Sequence, residues 1–184
     1  HVDAVLYTHP HADHLHGIDD LRQYAQTQQR RIPVFADEAT GQHLVRAFSY
    51  CFETPDGGMY PPILELNTIT AGEILRVEGE GGPIELLPVL QLHGPITSLG
   101  FRVGGDLANL RGGLCYSPDI SGLPDQSLPL VSDLDCWVLD ALQYKRHISH
   151  LSLGEALEWV ERMKPGRAVF THMHIPLDYE TVRN

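Results

Sequence analysis

Val2-Asp3-Ala4-Val5-Leu6-Tyr7-Thr8-His9-Pro10-His11-Ala12-Asp13-His14 is the stretch on which the fold is decided. The run Val2 to Tyr7 is mostly apolar and reads as a buried strand. It feeds directly into a His-x-His-x-Asp-His cluster, His9 to His14. Imidazole and carboxylate are nitrogen and oxygen ligands for zinc and related divalent ions. A strand that ends in such a cluster brings its donors to one rim of a sheet. A single tetrahedral ion uses four protein ligands at most, so further donors elsewhere would imply a second ion.

Such donors recur along the chain. His93 follows the strand-like run Ile84 to Leu92, Asp119 follows Gly113 to Ser117, and His172 follows Arg167 to Thr171. In each case a metal-competent side chain sits just past an apolar strand. A lone histidine would be read as a packed or solvated residue, but four strands ending in donors form a pattern.

On these motifs, Thr8 to His14, His93, Asp119 and His172 in that order, the chain resembles the metallo-β-lactamase superfamily of binuclear metallohydrolases. The resemblance runs nearly end to end. It implies an α/β fold, an αββα sandwich, as one domain over 1–184. It also implies strands before the first motif and a segment after the last ligand, so both ends of that fold are expected to lie outside this stretch. It assigns His9, His11 and His93 to one metal, Asp13, His14 and His172 to another, and Asp119 as a bridge. A hydroxide bridging the metals would be the nucleophile. Asp13 either only ligates or also orients that nucleophile. Zinc is the expected metal, and manganese suits the same donors.

Asp140 to His150 refines the expected reaction. It contains Tyr144, Lys145, Arg146, His147, Ser149 and His150 and leads into a helix from Ser152. A histidine before a helix N-terminus has its neutral form favoured by the dipole. The pattern is similar to the branch of phosphoribosyl cyclic phosphate phosphodiesterases and tRNA 3′-processing nucleases, where a histidine here protonates the leaving alkoxide. His150 matches that role best. The expected activity is therefore hydrolysis of a small phosphodiester, cyclic ones included. The alternatives are a tRNA-processing nuclease, a thioester or lactam hydrolase, or a metal-binding protein without catalysis. A thiolate leaves without protonation, so a thioesterase would not need His150. His16, Ser98 and His147 are candidate substrate contacts. Their bland readings are a solvent-facing residue, a strand start and a loop histidine.

Composition narrows the partners. With 42% hydrophobic residues in 184, the chain can bury a full core. A formal net charge of −11 is a poor footprint for a nucleic-acid binder. The expected partner is a small phosphate ester, and a homodimer is compatible with this reading. No apolar run is long enough to span a membrane. Cys51, Cys115 and Cys136 read as reduced thiols, which fits a cytoplasmic location.

Local patterns supply the elements. Gly17 to Gln29 predicts a helix and Ile32 to Ala36 a strand. Asp37 caps a helix to about Phe48. Ser49 to Pro62 has no period and reads as a loop, an insertion over the site or a plain connector. Strands follow at Leu64–Ile69, Glu73–Val77, Ile84–Leu92, Thr97–Val103, Gly113–Ser117 and Cys136–Leu142. Ser152 and Glu155 form a capping box for a helix to Met163. Tyr179 to Asn184 reads as the start of another helix.

Overall fold

Residues 1–182 are described by a computed structural model. The chain divides into two compact units, residues 1–70 with 77–83, and residues 71–76 with those from 84 onward.

The first unit is built on a parallel three-stranded sheet in the order β1 (Val5–Leu6), β2 (Ile32–Ala36), β3 (Leu64–Thr68). In β2 the alternate residues Ile32, Val34 and Ala36 are fully buried, as a strand with one core face requires. Tyr7, Leu15, Ile18, Leu44 and Leu64 close that core. The helices are α1 (Ala12–Leu15), α2 (Leu21–Gln28), α3 (Glu38–Ala47) and α4 (Ser49–Phe52). Asp37 caps α3 by accepting from Thr40 N at 2.8 Å. Three expectations need correction. The first strand is only Val5–Leu6, a tighter 3-10 turn occupies His16–Asp20 before α2, and Ser49–Phe52 is helical where a loop was expected. Cys51 explains the last, because its buried side chain gives this short turn an anchor in the core.

The second unit is built on a six-stranded sheet. Its order is β4 (Leu75–Val77), β5 (Ile84–His93), β6 (Ile96–Val103), β7 (Leu114–Ser117), β8 (Cys136–Asp140), β9 (Ala168–Thr171). The β5–β6 and β6–β7 pairs are antiparallel, and β7–β8 and β8–β9 are parallel. So β5, β7, β8 and β9 run the same way, and their carboxyl ends share one edge. That is the edge at which open α/β sheets place ligands. Gly94-Pro95 joins β5 to β6 as a two-residue hairpin with Gly94 at φ +60°, the conformation such turns demand. A Cβ on Gly94 would lie 2.8 Å from that of Ser149, so only glycine lets the turn approach so closely.

The helix α5 (Leu153–Met163) carries the expected capping box, with Ser152 Oγ accepting from Glu155 N and Glu155 accepting from Ser152 N at 3.0 Å. Trp137, Leu139, Cys115, Ile120 and Ala156 are fully buried at the centre of this unit. A last helix, α6, spans Tyr179–Val182, and the rest of the segment expected there lies outside the described residues. Among the described residues no helix is long and apolar enough to cross a membrane. Burial pushes the Cys115 thiol up to about 12, which makes it an inert core residue.

Arg102 on β6 is fully buried. Its guanidinium donates to the carbonyls of Leu130 (3.1 Å), Ser132 (3.0 Å) and Gly112 (2.7 Å). Burial pulls its pKa below the usual arginine value, although arginine stays charged at neutral pH. The charge is held by carbonyl dipoles from the two loops that flank β7 and β8. Replacing Arg102 with methionine strands those three acceptors, each worth about 1–3 kcal/mol when left unsatisfied. Relief of the buried charge offsets part of that. We expect a net loss of about 3 kcal/mol, read as a lower urea midpoint with an unchanged slope.

Candidate metal centre

The first half-set of donors lies in the first unit. The chain leaves β1 through Tyr7 and Thr8, both buried, and places His9 in the interior at 0% exposure. His11 is the residue before α1, and its carbonyl accepts from His14 N at 3.1 Å. That single turn gathers the imidazoles. The His9 ring lies 4.6 Å from that of His11 and 4.3 Å from that of His14. Asp13 is exposed in the first turn of α1, with a carboxylate oxygen 3.5 Å from His14 Nε2. Thr8 Oγ1 sits 2.9 Å from His9 Nδ1 and 3.5 Å from His14 Nδ1. One hydroxyl therefore meets two rings at their Nδ1 atoms, which leaves Nε2 as the candidate ligand atom of each.

The second half-set lies in the second unit, at the shared carboxyl edge of β5, β7, β8 and β9. Its centre is Asp119, 2% exposed, two residues past β7. Three imidazoles present Nε2 to this carboxylate: His93 at 3.5 Å, His150 at 3.8 Å and His172 at 3.9 Å. Carbonyl and carboxylate oxygens lie behind these rings. His93 Nδ1 lies 2.6 Å from the Ser149 carbonyl, which can only accept, so Nδ1 carries the proton and Nε2 the lone pair. His150 Nδ1 is bonded to Asp140 Oδ2 at 2.8 Å. His172 Nδ1 lies 3.6 Å from Asp140 Oδ1. The donor atoms of Asp119, His150 and His172 all fall within 4.8 Å of one another. His172 also has φ +59°, a left-handed conformation uncommon for histidine and often found where function fixes the backbone.

Imidazoles gathered round a carboxylate, with no lysine or arginine among the contacts described, are the donor chemistry of zinc-type ions. The residues thus fit a divalent metal, and each half-set supplies both nitrogen and oxygen donors.

Asp140 and Thr8 were not singled out as functional from the sequence. Asp140 carried the same signal as the ligands, an acidic residue closing an apolar strand, Cys136–Asp140. It is 0% exposed and also accepts from Ile120 N at 3.3 Å, so it ties the Asp119 loop to the His150 ring. The sequence pointed to the α5 dipole as the field acting on His150. The structure adds a carboxylate in direct contact.

The three candidate substrate contacts separate. Ser98 is fully buried, and its hydroxyl donates to the Asp119 carbonyl at 2.6 Å. It is therefore corrected from a substrate contact to an anchor for the Asp119 loop. His16 is exposed, with its ring edge toward Phe48 at 5.8 Å. His147 is exposed beside His150, ring centres 5.2 Å apart.

The histidine-rich, carboxylate-centred edge is a candidate metal site, and the fold that carries it has counterparts among known proteins. Residues 1–173 match the family model of the Beta-lactamase superfamily domain. The chain belongs to the beta-lactamase superfamily and has its α/β, metallo-β-lactamase fold. Within it the chain is similar to a new diphosphatase from the PhnP family, known from its crystal structure. The two share 31% identity and a TM-score of 0.81, over 99% of this chain and 64% of that one. The metallo-β-lactamase fold protein YhfI from Bacillus subtilis gives a TM-score of 0.74 at 18% identity, over 98% of this chain and 68% of that one. Zn(2+)-bound PqqB from Methylobacterium extorquens gives 0.68 at 15% identity, over 98% and 67%. These two speak for the fold alone. A curated protein, the octanoyltransferase of Porphyromonas gingivalis (strain ATCC BAA-308 / W83), is 24% identical over 97% of this chain. The chain spans about a third of that protein (34%) and just under two-thirds of the diphosphatase (64%).

Proposed function

We propose that the chain is the catalytic part of a binuclear metal-dependent phosphodiesterase acting on a small phosphate ester, cyclic esters included. The reading treats 1–184 as one functional domain in which the two half-sets share a pair of cations. His9, His11 and His93 would hold one, Asp13, His14 and His172 the other, and Asp119 would lie between them. Zinc is the proposed metal, with manganese as the alternative. Bound there, the cations would lower the pKa of water to about 7 and offset negative charge on the phosphoryl oxygens.

The chain's own residues do the rest. Asp13, exposed at the end of the first half-set, accepts a hydrogen bond from the nucleophile and orients it. Thr8 and Asp140 keep the imidazoles from rotating. His150 carries the proton that the leaving oxygen needs. It delivers that proton from Nε2 while Asp140 holds Nδ1–H and balances the charge of the imidazolium. The His150–Asp140 contact at 2.8 Å is the observation that carries this reading, because it gives the site a positioned acid. A thioester or a lactam has less use for one. The diphosphatase neighbour, at 31% identity, also supports phosphorus over carbon as the centre attacked. The net charge of −11 favours a small ester over a nucleic acid.

Zinc- and manganese-loaded protein assayed side by side on bis-p-nitrophenyl phosphate, a hydroxyacyl-glutathione thioester and nitrocefin should hydrolyse the phosphodiester alone. Preferential turnover of either of the others would overturn the reading. Asp140→Asn should slow hydrolysis of an alkyl phosphodiester by about 10–100-fold, the usual effect of losing such an orienting partner. The loss on a p-nitrophenyl ester should be smaller, since that leaving group needs little protonation.

A further inference from the structure

His93 and Asp119 reach one edge of the six-stranded sheet from strands that are not neighbours, because β6 lies between β5 and β7. The β6–β7 ladder stops at Phe101–Tyr116, before that edge. Strand pairing alone therefore does not set the 3.5 Å between His93 Nε2 and the Asp119 carboxylate. A direct link is needed between the chain leaving β7 and the turn leaving β5.

Ser121, two residues past Asp119, supplies it. Its N–H donates to the Leu92 carbonyl at 2.7 Å, and its hydroxyl donates to the same carbonyl at 3.2 Å. The hydroxyl oxygen in turn accepts from Gly94 N at 3.1 Å. Leu92 N donates to the Gly122 carbonyl at 2.9 Å, which makes an antiparallel bridge between the two residues. Both neighbours of His93 are thus tied to the segment that carries Asp119. The donor count closes. A hydroxyl has one proton to give and lone pairs to receive, and a carbonyl can take two donors. A serine that only closed the loop would need its N–H alone. The hydroxyl adds the bond to Gly94, a turn position outside the β5–β6 ladder. Ser98 holds the Asp119 carbonyl and the Ser149 carbonyl holds the His93 ring, but Ser121 joins the two segments to each other.

We infer that Ser121 is a positioning residue for the metal centre, its hydroxyl holding His93 at ligating distance from Asp119. It acts through the backbone of Leu92 and Gly94. This rests on the reading in which His93 and Asp119 serve a common cation.

Cobalt(II)-loaded protein tests the role without turnover, because the visible bands of cobalt report the geometry of its ligands. His93→Ala identifies the bands and the affinity of the ion that His93 holds. Ser121→Ala should perturb those same bands and weaken that ion about tenfold against a competing chelator, as loss of an outer partner does. The other ion should keep its affinity. Ser121→Thr keeps the hydroxyl and should restore bands and affinity, since Ser121 borders cavities of about 260 and 450 Å³ with room for a methyl group. The urea midpoint should stay near the parent's in both variants, because the backbone bonds between Leu92 and residues 121 and 122 remain. Parent-like bands and affinity in Ser121→Ala, equal weakening of both ions, or no recovery in Ser121→Thr would overturn the role. Unfolding of Ser121→Ala would overturn it too, since the hydroxyl would then serve the fold and not the site. Hydrolysis of bis-p-nitrophenyl phosphate, followed alongside, separates the two ideas. The cobalt response without hydrolysis removes the phosphodiesterase reading and leaves the role of Ser121 standing. Hydrolysis without the response removes that role alone.

Discussion

Replacing His150 with alanine should lower kcat/KM for a phosphodiester with an alkyl leaving group by about 10²–10⁴-fold, the range typical of a lost general acid. The same change should cost far less on bis-p-nitrophenyl phosphate, whose phenolate departs without a proton. His150 has its Nδ1 tied to Asp140 at 2.8 Å, so Nε2 is the end free to act. That end faces the Asp119 carboxylate at 3.8 Å, where the reacting ester would lie. The donors of Asp119, His150 and His172 also lie close enough together to hold an ion themselves. The two roles diverge under mutation. A ligand's loss depresses both substrates alike and lowers metal content, whereas an acid's loss depresses only the poor leaving group. Equal loss on both esters would remove His150 from the acid role.

Asp119→Ala should have the larger overall effect. Asp119 is the carboxylate faced by three imidazoles, and its removal leaves those rings without their shared centre. If metal supplies several kcal/mol of the barrier reduction, turnover should fall by about 10³-fold or more on every ester, p-nitrophenyl esters included. Elemental analysis should show metal content falling with it. The backbone should hold its place, because the Asp119 carbonyl is anchored by Ser98 and not by its own side chain. A variant that keeps its full metal content and loses activity only for alkyl esters would contradict this assignment.

Much of this arrangement could be read from the residues because local rules agreed with the fold. The strand β2 was delimited by alternation, α3 by its Asp37 cap and α5 by the Ser152–Glu155 box, and each ends close to where its cap or turn says it should. His93, Asp119 and His172 were visible because each directly follows an apolar strand. What could not be read depends on neighbours distant in sequence. Ser98 differs from a substrate-facing serine only by the Asp119 carbonyl 2.6 Å away. Asp140 becomes meaningful only once the turn after it returns His150 to its side. The helix at Ser49–Phe52 has too few residues to show a period, and it is fixed by the burial of Cys51. The segment after His14 looked like one helix because its apolar spacing is helical. Its first turn instead tightens over His16–Asp20 before α2 begins.

Anomalous scattering at the zinc edge, from crystals of the zinc-loaded protein, is the most direct test of the shared pair of cations. Two peaks about 3.5–4 Å apart are expected. One should touch His9, His11 and His93, the other Asp13, His14 and His172, with Asp119 reaching both. A single peak, or peaks confined to Asp119, His150 and His172 with the Thr8–His14 segment turned away, would contradict it.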